Sequence, residues 1–285
     1  PLHIKAYFDN ATSTVTYLVS DPETQQAAII DPVLDYEPHA AKLSTRSADK
    51  ILTDAAAEGL TIQWVLDTHA HADHLSAADH VRRQTGAIYG IGAHIVDVQR
   101  QFKPVFNAAD LIPDGHLFDH LFEDGETFNI GTLSARIMHT PGHTPACLTY
   151  VIGDAAFVGD TLFMPDYGTA RADFPGGDAT MLYRSIRKIL ALPAETRIFV
   201  GHDYLPEGRD TYQWETTVAE ERARNIHVRD GVDEKAFVTM RTKRDATLDA
   251  PRLILPSLQV NIRAGALPPK EEDGQVYLKL PVSMA

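Results

Sequence analysis

The chain has 285 residues, 44% of them hydrophobic and 23% charged, which is ample material for one large α/β domain with a substantial core. Its 26 basic and 39 acidic residues give a formal net charge of −13, which excludes a general affinity for nucleic acid or for anionic membrane surfaces. No apolar run approaches the roughly 20 residues that a membrane-spanning helix needs, so we expect no membrane partner.

A single cysteine, Cys147, excludes an internal disulfide framework and a thiolate-rich zinc or iron–sulfur site. The first residues carry no basic stretch followed by an apolar run, so we expect no secretory signal and a reducing, cytoplasmic location. Histidine and carboxylate ligands remain, and they favour zinc, iron(II) or manganese. Because Cys147 opens an apolar strand, we interpret it as a small buried hydrophobe.

In the first half, β-rich runs bounded by turn residues predict strands, and apolar residues at helical spacing predict helices. The predicted strands are Ile4–Phe8, Val15–Val19, Ala27–Ile30, Gln63–Leu66 and Ala87–Ile91. The predicted helices are Ser47–Ala57, Leu75–Thr85 and Ala93–Phe102, with Ser47 as the N-cap of the first. Residues 103–122, which contain His116 and His120, predict a solvated loop because proline and glycine interrupt them.

The second half repeats the pattern of strands followed by a helix. The predicted strands are residues 133–139, Leu148–Ile152, Ala155–Val158 and Arg197–Val200. The predicted helices are Thr180–Ala191 and the long, polar Tyr212–Ile226. We expect the tail from Pro251 to wrap the body. The shared pattern of the two halves indicates a duplicated sandwich.

The loop Thr68–His74 follows the apolar strand Gln63–Leu66 and holds three histidines and an aspartate within six residues. Ligands commonly lie at the carboxyl ends of strands in α/β sheets. On an extended loop, the alternating His69 and His71 can converge on one ion. The adjacent Asp73 and His74 must aim differently, which indicates a second pole to the site.

Three further loops place a histidine or carboxylate at the end of an apolar strand, beside a glycine that permits close backbone approach. These residues are His143, Asp160 and His202. Seven ligand-type residues thus emerge from four strand ends. They suffice for two metal sites that share Asp160, or for one metal with an elaborate outer shell.

The ligand-type residues resemble the ligand set of the metallo-β-lactamase superfamily. They are the run His69-Ala70-His71-Ala72-Asp73-His74, followed in order by His143, Asp160 and His202. The resemblance covers residues 3–228. It implies an α/β fold, an αββα four-layer sandwich of two mixed β-sheets flanked by helices, with metal at one edge. We therefore expect a catalytic domain over residues 1–228 and a C-terminal extension, 229–285, packed on the same domain.

Several motifs are similar to the glyoxalase II side of that superfamily, and more so to its glutathione persulfide dioxygenases. They are residues 140–147, Gly159-Asp160-Thr161, residues 168–174, Gly201-His202-Asp203-Tyr204 and residues 220–225. Arg171-Ala172-Asp173-Phe174 matches a Gly-Arg-Thr-Asp-Phe loop, with Ala170 in place of its glycine. The chain departs from the pattern in longer excursions at 40–58 and 103–122 and in a longer tail after Ile226.

The resemblance implies one iron(II) per chain, held by His69, His143 and Asp160. Two histidines and one carboxylate leave positions open for a persulfide sulfur and molecular oxygen, which are the expected small-molecule partners. The implied reaction converts glutathione persulfide, oxygen and water to sulfite and glutathione. The remaining ligand-type residues would then orient the ligands and hold water; they are His71, Asp73, His74 and His202.

A dinuclear hydrolase of glutathione thioesters, or of related esters and lactones, is the alternative, with zinc as a possible occupant. It would place one metal on His69, His71 and His143, and a second on Asp73, His74 and His202, with Asp160 as the bridge. A bridging water would attack the carbonyl carbon. A nuclease is excluded by the absence of a basic groove and of a large inserted domain.

Arg171 is a candidate for holding a glutathione carboxylate, since a guanidinium matches a carboxylate bidentately, although an ion pair with Asp173 or Asp166 is the alternative. Tyr204 is a candidate catalytic and substrate-binding residue, although it could instead be a packed tyrosine. Asp73 is the second catalytic candidate. Surface or core roles are predicted for the other histidines: His3, His39, His80, His94, His116, His120, His139 and His227. The tail and the polar helix at 212–226 are where we would expect a homodimer interface.

Overall fold

Two six-stranded β-sheets stand at the centre of the structure, a computed structural model that describes residues 1–285. The strands are β1 His3–Asp9, β2 Thr14–Ser20, β3 Gln26–Ile30, β4 Val33–Glu37, β5 Lys42–Ser44, β6 Thr61–Leu66, β7 Leu75–Ser76, β8 Ile88–Gly92, β9 His120–Phe122, β10 Thr127–Ile130, β11 Leu133–His139, β12 Leu148–Ile152, β13 Ala155–Phe157, β14 Arg197–Phe199 and β15 Glu215–Thr217. The helices are α1 Arg46–Ala57, α2 Ala78–Thr85, α3 Ile95–Phe102, α4 Ala179–Leu190, α5 Val218–Arg224, α6 Glu234–Asp245 and α7 Ile254–Asn261.

The first sheet has the strand order β1-β2-β3-β6-β8-β9. Its first three strands are antiparallel, whereas β3, β6, β8 and β9 are parallel. Parallel neighbours need crossover connections, and the helices α1, α2 and α3 supply them. The parallel strands all end at one edge, and the loop with His69 begins at that edge, directly after β6.

The second sheet has the order β10-β11-β12-β13-β14-β15. Strands β11 and β13 are both antiparallel to β12, and β14 is parallel to β13, so these three strands point the same way. Their carboxyl ends therefore lie at one edge. His143, Asp160 and His202 follow these ends, as the sequence predicted.

Alternating side chains divide each sheet into an inner and an outer face. Leu66 from the first sheet and Phe157 from the second belong to a cluster of 19 buried residues between the sheets. The neighbouring Val65 packs outward with α1, α2 and α3, and Ala156 packs outward with α4 and α6. Helix, sheet, sheet and helix are thus stacked in four layers, and the predicted αββα sandwich is confirmed.

Several predicted elements were wrong in detail. The long helix over Tyr212–Ile226 is instead β15 followed by the short helix α5, because the β-branched Thr216 and Thr217 pair with β14. The helix expected from Leu75 begins only at Ala78, since Leu75–Ser76 pairs with β4. Ser47 does not cap α1: its N–H and hydroxyl both donate to Asp35, and Thr45 is the N-cap.

Residues 229–285 contribute the helices α6 and α7, neither of which the sequence predicted. Helix α6 packs on α4, and α7 packs on β7 next to the metal-type loop. Polar contacts add to this packing: Gln99 donates to the carbonyl oxygen of Ile262, and Arg263 pairs with Asp110. None of the seven helices is long and apolar enough to cross a membrane.

Candidate metal centre

Asp31 holds the beginning of the histidine loop in place. It follows β3 and is buried with a φ of 54°, a left-handed conformation that is unfavourable for a residue other than glycine. Its carboxylate accepts hydrogen bonds of 2.8 Å from both the N–H and the hydroxyl of Thr68, and it lies 3.0 Å from Nε2 of His71. One strained residue thereby fixes both the backbone direction of the loop and the orientation of an imidazole.

Asn261, at the end of α7, holds the other end of the same loop. Its Nδ2 donates to the carbonyl oxygens of His71 at 2.8 Å and His74 at 2.9 Å, and its Oδ1 accepts from the N–H of Ser76 at 2.8 Å. The side chain is buried, so these bonds satisfy loop groups that water does not reach. Sequence reasoning missed Asn261, which stands with Gln259 among the apolar residues of the run 258–262 and has no local motif that marks it.

The four loops bring their ligand-type side chains to one point at the edge of the sandwich. Oδ2 of Asp160 lies 3.5 Å from Nε2 of His69 and 3.4 Å from Nε2 of His143. Its other oxygen, Oδ1, lies 3.2 Å from Nε2 of His202, which is also 3.2 Å from Oδ2 of Asp73. The two oxygens of one carboxylate therefore face two different groups of ligands.

Groups of three ligand atoms that lie within 4.8 Å of one another describe the same arrangement. His69, His143 and Asp160 form one buried group, and Asp73, Asp160 and His202 form another. His71 falls outside both groups: it clusters with Asp73 and His74, or with the carboxylates Asp31 and Asp67.

Several buried atoms at this point lie close to one another but form no hydrogen bond of acceptable geometry, which is rare in folded proteins. They are Nε2 of His69, Nδ1 of His71, Nε2 of His74, Oδ1 of Asp160 and Nε2 of His202. Imidazole nitrogen and carboxylate oxygen are ligands for zinc, iron and manganese. These atoms are buried, lack hydrogen bonds and lie close together, so they are suited to bind a metal ion.

The charges at the site also favour a cation. Burial lowers the pKa of His202, but the Asp160 and Asp73 carboxylates outweigh burial and raise it to about 10. Burial would raise the pKa of Asp160, but His202 and His69 hold it well below its ordinary value. The carboxylates thus remain charged and retain a positive partner, and a bound metal cation would satisfy the same requirement.

His71 is prepared differently. Burial, followed by the neighbouring His74 and His69, lowers its pKa to about 4, so the imidazole is neutral. A neutral ring whose Nε2–H donates a hydrogen bond to Asp31 keeps a free lone pair on Nδ1. The side chain can therefore act as a ligand through Nδ1 or remain an outer-shell group.

Two glycines allow the loops to approach one another. A Cβ on Gly201 would lie 2.9 Å from Oδ1 of Asp160, and a Cβ on Gly142 would lie 2.3 Å from the backbone of Leu182. Gly142 also has a φ of 139°, which side chains rarely tolerate. His143 and His202 can reach the centre only because these neighbours have no side chain.

A cleft of about 400 Å³, which we call the substrate cleft, opens onto the centre beside Asp73, His143 and Asp160. Its aromatic wall includes Tyr204, whose ring stacks on His202 with centroids 5.3 Å apart. At 42% exposure, Tyr204 is accessible from the cleft. The predicted candidate thus lies both against a ligand-type histidine and in the substrate cleft, and its catalytic role stays a prediction.

Arg171 also lines the substrate cleft, but its guanidinium is already engaged. Nε and Nη2 donate to the two oxygens of Asp173 at 2.7 and 2.9 Å, and Nη1 donates to the carbonyl oxygen of Asp249. The ion pair with Asp173, one of the two interpretations from the sequence, is therefore present. The other alternative partner, Asp166, instead pairs with Arg209.

The remaining histidines and the cysteine lie outside the centre. None of the eight histidines assigned to surface or core roles belongs to a metal-type group. His116 is exposed and pairs with Asp114, whereas His120 lies in β9 and bonds to Glu126, so the predicted solvated loop ends before it. Cys147 is buried, and burial raises the pKa of its thiol to about 12, as expected for an inert side chain.

Comparison with protein families and known proteins gives consistent matches. The model of the metallo-beta-lactamase superfamily matches residues 9–202. The chain is similar to a probable metallo-hydrolase of Burkholderia pseudomallei, with 53% identity over 98% of each protein. It is 46% identical to glyoxylase B2 of Dictyostelium discoideum, over 98% of this chain and 97% of that protein.

Similarity to persulfide dioxygenases is lower but also nearly complete in length. The mitochondrial persulfide dioxygenase ETHE1 of Homo sapiens is 30% identical over 94% of this chain and 91% of that protein. The crystal structure of ETHE1 from Myxococcus xanthus superposes with a TM-score of 0.74 at 31% identity, over 93% of this chain and 100% of that one. A beta-lactamase hydrolase-like protein of Xylella fastidiosa is 51% identical, and the chain spans 64% of its length.

Proposed function

The chain belongs to the metallo-beta-lactamase superfamily, and from this premise we propose that it is an iron(II)-dependent persulfide dioxygenase. The proposed reaction takes glutathione persulfide, molecular oxygen and water to glutathione and sulfite, with the release of two protons. The persulfide and oxygen are then its small-molecule partners. The family, the fold and a centre able to bind metal are the premises, and the substrate and the metal are the proposal.

The observation that carries the proposal is the group formed by His69, His143 and Asp160. Two histidines and one carboxylate, with one ligand atom from each within 4.8 Å of the others, are the donor set of non-haem iron(II) oxygenases. His71 lies outside this group and bonds to Asp31. The same three ligands, without a third histidine, leave room for substrate beside the metal.

Iron(II) at this position would supply the redox chemistry that joins oxygen to the terminal sulfur. The chain itself supplies orientation and shielding. Asp31 and Asn261 fix the loop that carries His69, and the backbone carbonyl of Arg171 lies 2.8 Å from Nδ1 of His143, which orients that ring. The aromatic wall at Tyr204 lines the substrate cleft next to the centre and offers an apolar surface to a bound substrate.

The similarity to persulfide dioxygenases supports the proposal, because it extends over 94% of this chain and includes a solved structure. Relatives with higher identity carry the names metallo-hydrolase and glyoxylase. Both activities draw on the same ligand types, so sequence identity alone does not choose between them.

A dinuclear hydrolase is the second candidate, and one observation favours it. Asp160 presents Oδ2 to His69 and His143, and Oδ1 to His202, as a bridging carboxylate would. In that function the second group would bind its own metal, and the substrate would be a thioester or related ester. Zinc could then be the natural metal or, for the dioxygenase, a substitute taken up during expression.

Anaerobic purification followed by measurement of iron and zinc per chain distinguishes the two functions. The dioxygenase should contain about one iron per chain and consume oxygen on addition of glutathione persulfide. Exposed His116, away from the centre, offers a matched control as His116→Ala. Iron-loaded protein that consumes no oxygen but hydrolyses a glutathione thioester rapidly would contradict the proposed dioxygenase.

A further inference from the structure

A second cavity adjoins the substrate cleft and reaches the metal centre from another side. This side cavity, about 520 Å³, lies between the hairpin of β4 and β5 and the C-terminal segment. It shares Ala11, Thr12, Arg252 and Leu253 with the substrate cleft, and the buried His74 also lines it. The buried Nε2 of His74 has no hydrogen-bond partner. The two cavities are therefore neighbours around one centre, with Arg252 at their boundary.

Most arginine side chains of this chain bond to another protein group, and the few that do not lie mainly around the two cavities. Thirteen of the 17 bond to a carboxylate or a carbonyl oxygen, as expected for a chain with 39 acidic residues. The exceptions are Arg46, Arg136, Arg244 and Arg252. Arg136 is exposed on β11, whereas the other three line the substrate cleft or the side cavity. Unpaired guanidinium groups thus concentrate where a ligand can enter.

The carboxylates that line the side cavity have other partners. Asp9 accepts hydrogen bonds from Thr12, Asp35 accepts from Ser47, and Glu37 accepts from the backbone N–H of His39 and pairs with its ring. None of the three forms an ion pair with Arg46 or Arg252, although all share the cavity with them. The two guanidinium groups are exposed and keep all their donors free for a ligand. Planar guanidinium donors match carboxylate and phosphate oxygens bidentately.

We propose that the side cavity is an anion-binding subsite in which Arg252 and Arg46 hold the carboxylate or phosphate end of a thiol-bearing substrate. The sulfur of that substrate would lie at the metal centre, with Arg252 contacting the chain of the molecule where it passes from the substrate cleft into the side cavity. The inference rests on the proposed function only in assuming a substrate with a thiol-derived sulfur. It deepens that function by specifying an anionic group remote from the sulfur.

Equilibrium binding to the zinc-loaded full chain tests the subsite without turnover. Calorimetric titrations with glutathione, with glutathione diester and with coenzyme A should be run on the wild-type protein and on Arg46→Ala and Arg252→Ala. Arg136→Ala is the matched control, because it removes an equally unpaired arginine on another surface. All three positions are exposed, so the variants should fold as the wild-type protein does.

We expect Arg46→Ala and Arg252→Ala each to raise the Kd of at least one anionic thiol by about tenfold, the scale of a lost charge-assisted hydrogen bond. Arg136→Ala should leave every Kd unchanged, and the diester should be insensitive to all three substitutions. An effect on glutathione identifies the anion as a carboxylate, whereas an effect confined to coenzyme A identifies it as a phosphate. If Arg46→Ala behaves like Arg136→Ala with both thiols, or if the diester weakens equally, the subsite is refuted.

Oxygen uptake measured on iron-loaded samples separates this inference from the proposed function. If Arg46→Ala raises the Kd of an anionic thiol but the iron-loaded wild-type protein consumes no oxygen, the dioxygenase is refuted and the subsite is retained. If the wild-type protein consumes oxygen but Arg46→Ala leaves the Kd of both thiols unchanged, the dioxygenase is retained and the subsite is refuted.

Discussion

The two sides of the substrate cleft are built in opposite ways. The metal-bearing side is buried: His69 is 1% exposed, and the loop that carries it is fastened by Asp31 from the first sheet and Asn261 from the C-terminal segment. The substrate-facing side consists of exposed groups such as Tyr204 and Arg252, which carry few bonds to the rest of the protein. Under the proposed function, the chemistry would lie on the rigid side, and substrate selectivity on the side that can change without unfolding the protein.

This difference separates two kinds of substitution. A substitution on the buried side disturbs hydrogen bonds that also hold the backbone, and it should damage metal binding and stability together. A substitution on the exposed side should change substrate preference alone. Five predictions test this contrast, and they follow in order of decreasing effect.

Replacing His69 with alanine should abolish metal binding and turnover, because His69 is a ligand in both proposed functions. The loss should exceed the roughly 10- to 100-fold that changes to outer-shell partners cause. Metal content per chain and oxygen uptake measure it, with His116→Ala as the control. A variant that retains one metal per chain would remove His69 from the ligand set.

Replacing His202 with alanine should leave the iron bound and lower turnover, if a single metal lies on His69, His143 and Asp160. His202 then touches the metal site only through Asp160, at 3.2 Å. Metal content after dialysis is the decisive measurement. A loss of metal comparable to that of His69→Ala would favour the dinuclear arrangement.

Asn261→Ala should weaken metal binding about tenfold and destabilise the fold by about 2–3 kcal/mol, because it leaves two carbonyl oxygens and an N–H of the buried loop unpaired. Chemical denaturation and metal competition measure the two effects. The matched control is Asn129→Ala, at an exposed position on β10. Equal stabilities for the two variants would mean that the C-terminal segment does not support the loop.

Acid should destabilise the fold through His227, which bonds to the backbone of Thr169 behind the substrate cleft. Burial, with Arg241 and Arg244 nearby, lowers the pKa of its imidazole to about 4, and its Nδ1 accepts from the N–H of Thr169. The folded state therefore favours the neutral ring, so this contribution is complete above the unfolded pKa of roughly 6.5 and is lost as pH falls toward 4. After allowance for partial exposure, we expect about 1–2 kcal/mol.

Denaturation of His227→Asn between pH 7 and pH 4 measures this contribution against the wild-type protein. The variant should lose less stability over that interval than the wild-type protein does. His3→Gln, at an exposed histidine whose side chain forms no hydrogen bond or ion pair, should keep the wild-type profile. Parallel profiles for wild type and His227→Asn would exclude His227 as the acid-sensitive group.

Tyr204→Phe should have the smallest effect. The ring would still stack on His202 and close the aromatic wall, so only contacts of the hydroxyl with substrate are lost. We expect the kcat/KM to fall about fivefold to tenfold, the scale of one hydrogen bond, with metal content unchanged. An unchanged kcat/KM would identify Tyr204 as a packing residue.

The sequence was most informative where function depends on neighbours along the chain. The histidine loop, the Pro-Gly turn before His143 and the glycine before His202 are short patterns with a direct geometric meaning, and they predicted the four strand ends that meet at the centre. The sandwich followed from the same alternation of elements. Local propensity failed where tertiary pairing decided the outcome, as at β15, where two threonines join a sheet edge instead of a helix.

Groups that act across long distances could not be predicted in this way. The tail was expected to wrap the body, but nothing local to Asn261 or Arg252 indicates that these side chains reach the centre. The free or paired state of an arginine likewise depends on distant carboxylates: Arg171 is engaged by Asp173, whereas Arg252 is not engaged at all. The sequence therefore predicts the chemistry of the centre better than the surface that selects its substrate.

The bond between Asn261 and the histidine loop also has a consequence for biosynthesis. The residues that it joins, His71 and Asn261, are 190 positions apart in the chain. At a synthesis rate of about 5–20 residues per second, the ribosome needs roughly 10–40 s to travel from one to the other. During that interval the loop lacks the hydrogen bonds from Asn261, so the centre reaches its final geometry only after residue 261 has emerged. Metal is best acquired after that point.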